Sequence, residues 1–337
     1  MSGEGTTRPP FDPAVASALA DRPGDVVTTL APDEIAALRA RAQPPDLDDV
    51  AVLARRTLTW HHAPGPDGEV RVALLRPASD GPVPVLLHLH GGGLVAGTVS
   101  DDVAATAATG PGWAVASVDY RLAPEHPYPA AVEDAYAALV WLVGQADSLG
   151  LDAARVVVTG VSAGAGVAAA LALLARDRGG PTLAGQLLVC PMLDDRNDSA
   201  SGEQMAGVGS WDRTANATGW AAYLGDAAGG PSTPAYASAA RAAQLDGLPP
   251  AYVDVGSAET FRDECVRYAA RIWTDGGDAE LHVWPGGCHG FDGLVPDAPV
   301  SRDARTARAR WLARLLARTY APTPTGHRSP TTTEPDA

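Results

Sequence analysis

Lysine is absent from this sequence of 337 residues, and all 25 of its basic side chains are arginine. Without lysine the chain cannot form a Schiff base, bind phosphates through a P-loop lysine or use a serine–lysine catalytic pair. A nucleic-acid partner is also unexpected, because 40 acidic residues give a net charge of −15 and phosphate binding needs a basic surface. Chemistry that requires no amine remains open.

Cysteine and long apolar runs are scarce as well. Cys190, Cys265 and Cys288 are too few and too widely spaced for a disulfide framework or a paired-cysteine metal site, which indicates a reducing, cytoplasmic location. The longest apolar run, 163–175, has 13 residues, whereas a membrane-spanning helix needs about 20. The first 13 residues lack the apolar segment of a signal peptide. We therefore expect a soluble protein without a membrane span.

Short apolar runs alternate with longer segments rich in alanine and leucine, which predicts an α/β protein with a mostly parallel sheet covered by helices. The predicted strands are 56–61, 70–76, 83–90, 113–119, 155–160, 186–190, 251–256 and 280–284. The predicted helices are 32–49, 101–110, 130–143, 163–176, 262–275 and 301–318. Runs such as VLLHL at 85–89 are typical of strands buried on both faces.

The length suggests either two domains or one large domain with an insertion. Residues 196–241 form a long insert between two core strands, and such inserts are usually lids or binding elements. Its aromatic side chains, Trp211, Trp220, Tyr223 and Tyr236, either line a pocket or hold the insert in place. Residues 1–10 and 321–337 are rich in Pro, Thr, Gly and Ser, and we expect flexible tails there.

Residues 160–164 read GVSAG, which matches the G-x-S-x-G pattern of a nucleophile elbow. The match follows a predicted strand and opens a predicted helix, as the elbow requires, so that Ser162 would project above the sheet. The alternative is a helix start built from small residues and packed against a strand. A second motif, HGGG at 90–93, follows a buried strand and can supply backbone N–H donors for an oxyanion beside that of Ala163. A flexible turn is the alternative there.

A serine nucleophile needs a histidine base and an acid that orients it. Of the eight histidines, His289 lies in a loop after the last predicted strand, where the carboxyl ends of parallel strands meet. The chain order of serine, acid and histidine also favours it. Four acids lie within or after the preceding predicted strand, 251–256: Asp254, Glu259, Asp263 and Glu264. Glu259 is the one placed in the loop.

Together these motifs resemble the hormone-sensitive-lipase-like branch of the α/β hydrolases. The resemblance covers about residues 50–320, with the family's motifs in order. It rests on HGGG, the elbow, YRLAPEHPYPA at 120–130, PMLDD at 191–195 and HGF at 289–291. It implies an eight-stranded core at 56–320, a helical cap made of segment 1–55 and the insert at about 196–241, and no metal or organic cofactor. A homodimer formed through the edge of the core is also implied.

Carried over by the resemblance, Ser162 is the nucleophile and His289 the general base, with the oxyanion donors at Gly91, Gly92 and Ala163. Glu259 then stands where the family usually has aspartate. Two further positions depart from the family pattern. Val161 replaces the usual acid before the nucleophile, and Ala165 replaces a glycine after the elbow, which puts the substrate range in question.

These observations predict a serine carboxylesterase that acts on small-molecule esters of short to medium acyl chains through an acyl-enzyme. Acyl transfer to another acceptor, or cleavage of an amide, carbamate or lactone, would use the same residues. A non-catalytic ligand-binding protein, as in plant hormone receptors that resemble these esterases, is the alternative from another class. The presence of His289 argues against it.

Overall fold

Eight strands form one sheet in the computed structural model, which describes residues 7–21 and 27–317. The strand order is β1-β2-β4-β3-β5-β6-β7-β8; β2 is antiparallel to both β1 and β4, and every other pairing is parallel. The strands are β1 (Arg56–Gly65), β2 (Gly68–Pro77), β3 (Val83–Leu89), β4 (Ala114–Val118), β5 (Leu151–Val161), β6 (Gly185–Val189), β7 (Ala251–Gly256) and β8 (Ala279–Trp284). The predicted fold class, a mostly parallel eight-stranded α/β-hydrolase sheet, is confirmed.

Helices cover both faces of the sheet. They are α1 (Pro13–Asp21), α2 (Ile35–Arg41), α3 (Leu47–Leu53), α4 (Val103–Thr109), α5 (Ala130–Gly144), α6 (Ala146–Leu149), α7 (Ala163–Asp177), α8 (Ala200–Gln204), α9 (Arg213–Leu224), α10 (Arg262–Thr274), α11 (Phe291–Leu294) and α12 (Pro299–Ala317). Because side chains alternate along a strand, Leu87 of β3 packs with the face of α5 and α7, and Leu86 packs with Trp311 of α12 on the other face. Among the described residues, none of the helices combines the length and apolar character that a membrane span requires.

Some predicted boundaries differ from the structure. The single helix predicted at 32–49 is wrong: a 3-10 turn and α2 end at Arg41, and α3 begins only at Leu47. Pro44 and Pro45 lie in the break, where proline lacks the N–H that a continuous helix needs. The helix predicted to end at 318 is described to Ala317. Most of the first predicted tail and all of the second lie outside the described residues.

The insert is held by two partners. Trp220 and Tyr223 of α9 are buried in the same apolar cluster as α5 and α7. The insert also bonds to the segment that precedes α2: just before α9 the Trp211 N–H donates to the Val27 carbonyl over 2.8 Å, and within α9 Thr218 Oγ1 donates to the Leu30 carbonyl over 2.6 Å. The insert and the N-terminal segment therefore lie against one another above the sheet.

Candidate active site

Ser162 stands on a strained turn between β5 and α7. Its backbone has φ 57° and ψ −119°. Residues other than glycine rarely adopt this conformation, and those that do are often found at functional sites. The flanking positions have room only for glycine. A Cβ at Gly160 would lie 2.4 Å from the Gly164 carbonyl carbon, and one at Gly164 would lie 2.1 Å from the Leu89 carbonyl oxygen. The two glycines of the motif thus permit the turn that presents Ser162.

His289 joins the serine to the acid. Its Nε2 lies 2.9 Å from Ser162 Oγ, and its Nδ1 lies 3.3 Å from Glu259 Oε1. The ring of Phe261 contacts the imidazole edge-on, with 5.0 Å between ring centroids, and so fixes its plane. The structure therefore brings together the serine, histidine and acid that the sequence predicts, in the order required for proton transfer from Ser162 to the imidazole.

Glu259 is fully buried and fixed by its second oxygen, since Oε2 accepts the Gly256 N–H over 3.2 Å. The three other candidate acids have different partners. Asp254 binds Arg308, Asp263 accepts the Ser201 N–H, and Glu264 accepts the Leu193 N–H.

The predicted oxyanion donors differ in their availability. Among the described residues, the N–H groups of Gly92, Gly93 and Ala163 donate to no protein acceptor. The Gly91 N–H instead donates to the carboxylate of Asp102 over 3.2 Å. Gly91 thus already has a competing acceptor, whereas Gly93, which the sequence analysis did not select, is unpartnered at the same loop.

Asp102 is a site residue without a sequence signal. It is partly buried and adopts a left-handed backbone with φ 62°, which is unusual for a non-glycine residue. Burial raises the pKa of its carboxyl to about 6, and the hydrogen bond from Gly91 opposes that shift. A partly buried carboxylate therefore lies directly behind the loop that carries Gly92 and Gly93.

A buried arginine pairs with two carboxylates near the site. Arg308 of α12 is 4% exposed and binds two carboxylates: its Nε donates to Asp254 Oδ2 over 2.8 Å, and its Nη1 donates to Asp292. Asp292 follows His289 by three residues. Val161, at the position where the family has an acid, lines a small cavity together with Asp102, Asp292 and Arg308.

Two further side chains lie close to His289, from residues that the sequence analysis did not place in the site. Ser210, in the insert, donates to the His289 carbonyl over 2.5 Å. Cys190, just after β6, has its sulfur within 4.8 Å of ligand atoms of both Glu259 and His289. A thiol, an imidazole and a carboxylate are groups that can bind zinc.

This geometry defines a class of enzyme. A serine bonded to an imidazole, an imidazole bonded to a buried carboxylate and free N–H groups beside the serine are the components of acyl transfer by a serine hydrolase.

Comparisons with known proteins agree. Residues 86–293 match a family model described as the alpha/beta hydrolase fold. The carboxylesterase NlhH of Mycobacterium tuberculosis is 35% identical over 94% of this chain and 99% of its own length. An acetyl-hydrolase of Streptomyces hygroscopicus is 34% identical over 65% of this chain and 72% of its own length. The solved structure of a bacterial heroin esterase superposes with a TM-score of 0.81 at 34% identity, covering 91% of this chain and 98% of that one. The chain belongs to the α/β-hydrolase family, in its hormone-sensitive-lipase-like branch, and is a carboxylic ester hydrolase.

Proposed function

We propose that this protein is a serine carboxylesterase in which Ser162 attacks the ester, His289 is the general base and Glu259 orients the imidazole. The observation that carries the proposal is the position of His289, 2.9 Å from the serine oxygen and 3.3 Å from the buried carboxylate. Glu259 favours the tautomer in which Nδ1 carries the proton, and this leaves Nε2 free to accept the proton of Ser162.

The reaction then follows in two halves. Ser162 Oγ attacks the ester carbonyl as its proton passes to His289 Nε2, and the oxyanion is stabilised by the N–H groups of Gly92, Gly93 and Ala163. The intermediate collapses, the alcohol leaves with the proton of His289, and Ser162 is acylated. Water attacks the acyl-enzyme with His289 as base, which releases the carboxylic acid. We assign Gly93 rather than Gly91 because the Gly91 N–H donates to Asp102.

Short acyl groups are the proposed substrates. The insert leaves little room above the oxyanion loop: a Cβ at Gly93 would lie 2.1 Å from the Trp211 ring, and one at Gly219 would lie 2.6 Å from the Gly93 carbonyl oxygen. The name of the related acetyl-hydrolase also favours a short acyl chain. We therefore propose that the insert and the described part of segment 1–55 together act as a cap that limits the acyl pocket.

The remaining proposals concern the setting of the enzyme. The proposed homodimer forms through β8, which is one of the two edge strands of the sheet. This strand displays Val283, and Trp273 is exposed on the adjacent α10. A reducing, cytoplasmic compartment suits the three cysteines, which are buried free thiols.

The test is hydrolysis of a series of p-nitrophenyl esters of increasing acyl length by the wild type and Ser162→Ala. We expect activity to be highest with short chains and to fall at least about 10³-fold in the variant. Ser148→Ala, a change at an exposed serine, is the control and keeps the wild-type rate. Labelling of the wild type by a fluorophosphonate, lost in Ser162→Ala, locates the nucleophile. Equal rates for wild type and Ser162→Ala would overturn the proposal.

A further inference from the structure

We propose that Cys190, Glu259 and His289 form an inhibitory site for a zinc-like divalent cation, and that its occupation turns the esterase off reversibly. The inference deepens the proposed function, since two of the three ligands are the acid and base assigned above. The third ligand, the Cys190 thiol, has no role in ester hydrolysis.

The ligand atoms are already close. One atom from each of the three side chains lies within 4.8 Å of the other two, and the pair His289 Nδ1 and Glu259 Oε1 is separated by 3.3 Å. Ligands of a tetrahedral zinc ion are about 3.3–3.8 Å apart when its bonds are about 2.0–2.3 Å long. At the sulfur, where the ideal separation from nitrogen or oxygen is about 3.5 Å, the cluster therefore needs to contract by at most about 1.3 Å, which a rotation about the cysteine side chain can supply.

The fold fixes the position of the thiol. Cys190 is the first residue after β6, and its N–H donates to the Asp254 carbonyl of β7 over 2.7 Å. Its φ of 39° turns the chain out of the strand direction at this point. Glu259 and His289 follow β7 and β8, so all three ligands lie at the carboxyl ends of neighbouring strands.

The charges favour a divalent cation. Among the described residues, Glu259 makes no ion pair with arginine, in contrast to Asp254, whose charge is balanced by Arg308. When the cation binds, the Cys190 thiol releases its proton to solvent and the sulfur bonds to the metal as thiolate. The carboxylate and the thiolate then balance the two positive charges, so the buried cluster becomes neutral.

Binding of the cation disables the base. Nδ1 is the nitrogen that faces Glu259, so a cation shared by these two groups binds there. The ring proton must then lie on Nε2, which can no longer accept the proton of Ser162.

The decisive experiment titrates ZnSO₄ against hydrolysis of p-nitrophenyl butyrate by protein first freed of metal with EDTA. The variants are Cys190→Ala, Cys190→Ser and, as a matched control, Cys288→Ala, which removes a buried thiol next to His289 but outside the cluster. We expect the half-inhibitory zinc concentration to rise at least about tenfold in both Cys190 variants and to stay at the wild-type value in Cys288→Ala. EDTA should restore the wild-type rate.

Co²⁺ gives a second measurement that needs no activity. A thiolate-to-cobalt absorption band is expected on adding Co²⁺ to the wild type and Cys288→Ala, and not with Cys190→Ala. If no protein preparation hydrolyses esters, the proposed function fails while the cobalt band still decides the metal site. Inhibition of Cys190→Ala and wild type at the same zinc concentration, absence of a Cys190-dependent band, or inhibition that EDTA does not reverse would each overturn the inference.

Discussion

Ser210 Oγ donates a hydrogen bond to the backbone carbonyl of His289 over 2.5 Å. The serine belongs to the insert between β6 and β7, whereas the histidine belongs to the loop after β8, 79 residues later in the chain. Trp211, the next residue, bonds through its N–H to Val27 and accepts the hydroxyl of Thr260 at its carbonyl. The segment 210–211 thus connects the histidine loop, the acid loop and the N-terminal segment.

We predict that Ser210→Ala lowers kcat about 2- to 10-fold with little change in KM, since one hydrogen bond that positions His289 is lost while the substrate contacts remain. Ser199→Ala is the matched control, because Ser199 caps α8 in the same insert and does not contact His289. Steady-state kinetics on a short p-nitrophenyl ester measures both. A loss confined to KM, or the same loss in both variants, would show that Ser210 does not position the base.

We expect catalysis to require the negative charge of the Glu259 carboxylate. We expect Glu259→Gln to lower kcat by a factor on the order of 10²–10⁴, because an amide does not stabilise the imidazolium and permits the wrong tautomer. Glu259→Asp restores the residue usual in the family and should lose less, since only reach is reduced. Single-turnover acylation measured by stopped flow separates the two. Wild-type acylation in Glu259→Gln would place the orienting acid elsewhere.

Arg308 should be required for folding. Arg308→Met leaves the buried carboxylate of Asp254 without its cation, and we expect a loss of about 3–5 kcal/mol in the free energy of unfolding by urea. The double variant Arg308→Met/Asp254→Asn should recover more than half of that loss, because the fully buried carboxylate is then neutral and only the more exposed Asp292 is left without its cation. Arg314→Met, on the same helix but half-exposed in its pairing with Glu280, should cost no more than about 1 kcal/mol. Equal losses for Arg308→Met and Arg314→Met would contradict this account.

Much of the core could be predicted from sequence, because periodicity reports burial. Strands such as β3, in which all seven residues are buried, read as continuous apolar runs, and α7 begins at the elbow motif. Helices without such a pattern were not predicted. Helix α1 is short with one buried residue, Val15, and α9 contains Asn, Thr and Gly among its buried positions. Their helical structure depends on tertiary packing, which a local pattern does not contain.

The candidate site divides in the same way. Ser162 and His289 lie in motifs whose sequence and order indicate a serine nucleophile and its base. Glu259 could be selected by its place in a loop. Asp102 and Ser210 could not be predicted, because each acts through a hydrogen bond with a backbone group of another loop, 11 and 79 residues away in the chain, and no local pattern reports such a contact. The choice between Gly91 and Gly93 also depends on Asp102, so the HGGG motif alone does not settle which N–H groups are free.

Gly93 should tolerate no side chain. Its φ is 63°, and a Cβ would lie 2.1 Å from the ring of Trp211, so Gly93→Ala must displace either the oxyanion loop or the insert. We expect kcat to fall about 10²–10³-fold, as for loss of an oxyanion donor. Gly112→Ala is the control, since no heavy atom lies within 4 Å of its Cβ position. Retention of more than half of the wild-type kcat in Gly93→Ala would exclude this residue from the oxyanion hole.

Asp102 should make folding stability depend on pH. Burial raises the pKa of its carboxyl to about 6 from the ordinary value of 3.8. The folded protein therefore holds this proton more tightly than the unfolded chain. Its contribution to stability is fully present below the unfolded pKa, falls as the pH rises through the folded pKa near 6, and is constant above that.

Asp102→Asn tests this contribution, since the amide oxygen can still accept the Gly91 N–H but carries no charge. Relative to the wild type, the variant should gain up to about 3 kcal/mol in free energy of unfolding between about pH 4 and about pH 8. Urea unfolding across that range measures the difference. Asp102→Ala should show the same change with pH, but at every pH it should be about 1 kcal/mol less stable than Asp102→Asn and have a lower kcat, because the Gly91 N–H loses its partner. Parallel pH curves for wild type and Asp102→Asn would mean that the carboxyl titrates alike in the folded and unfolded chain, and its burial behind Gly91 would then carry no charge penalty.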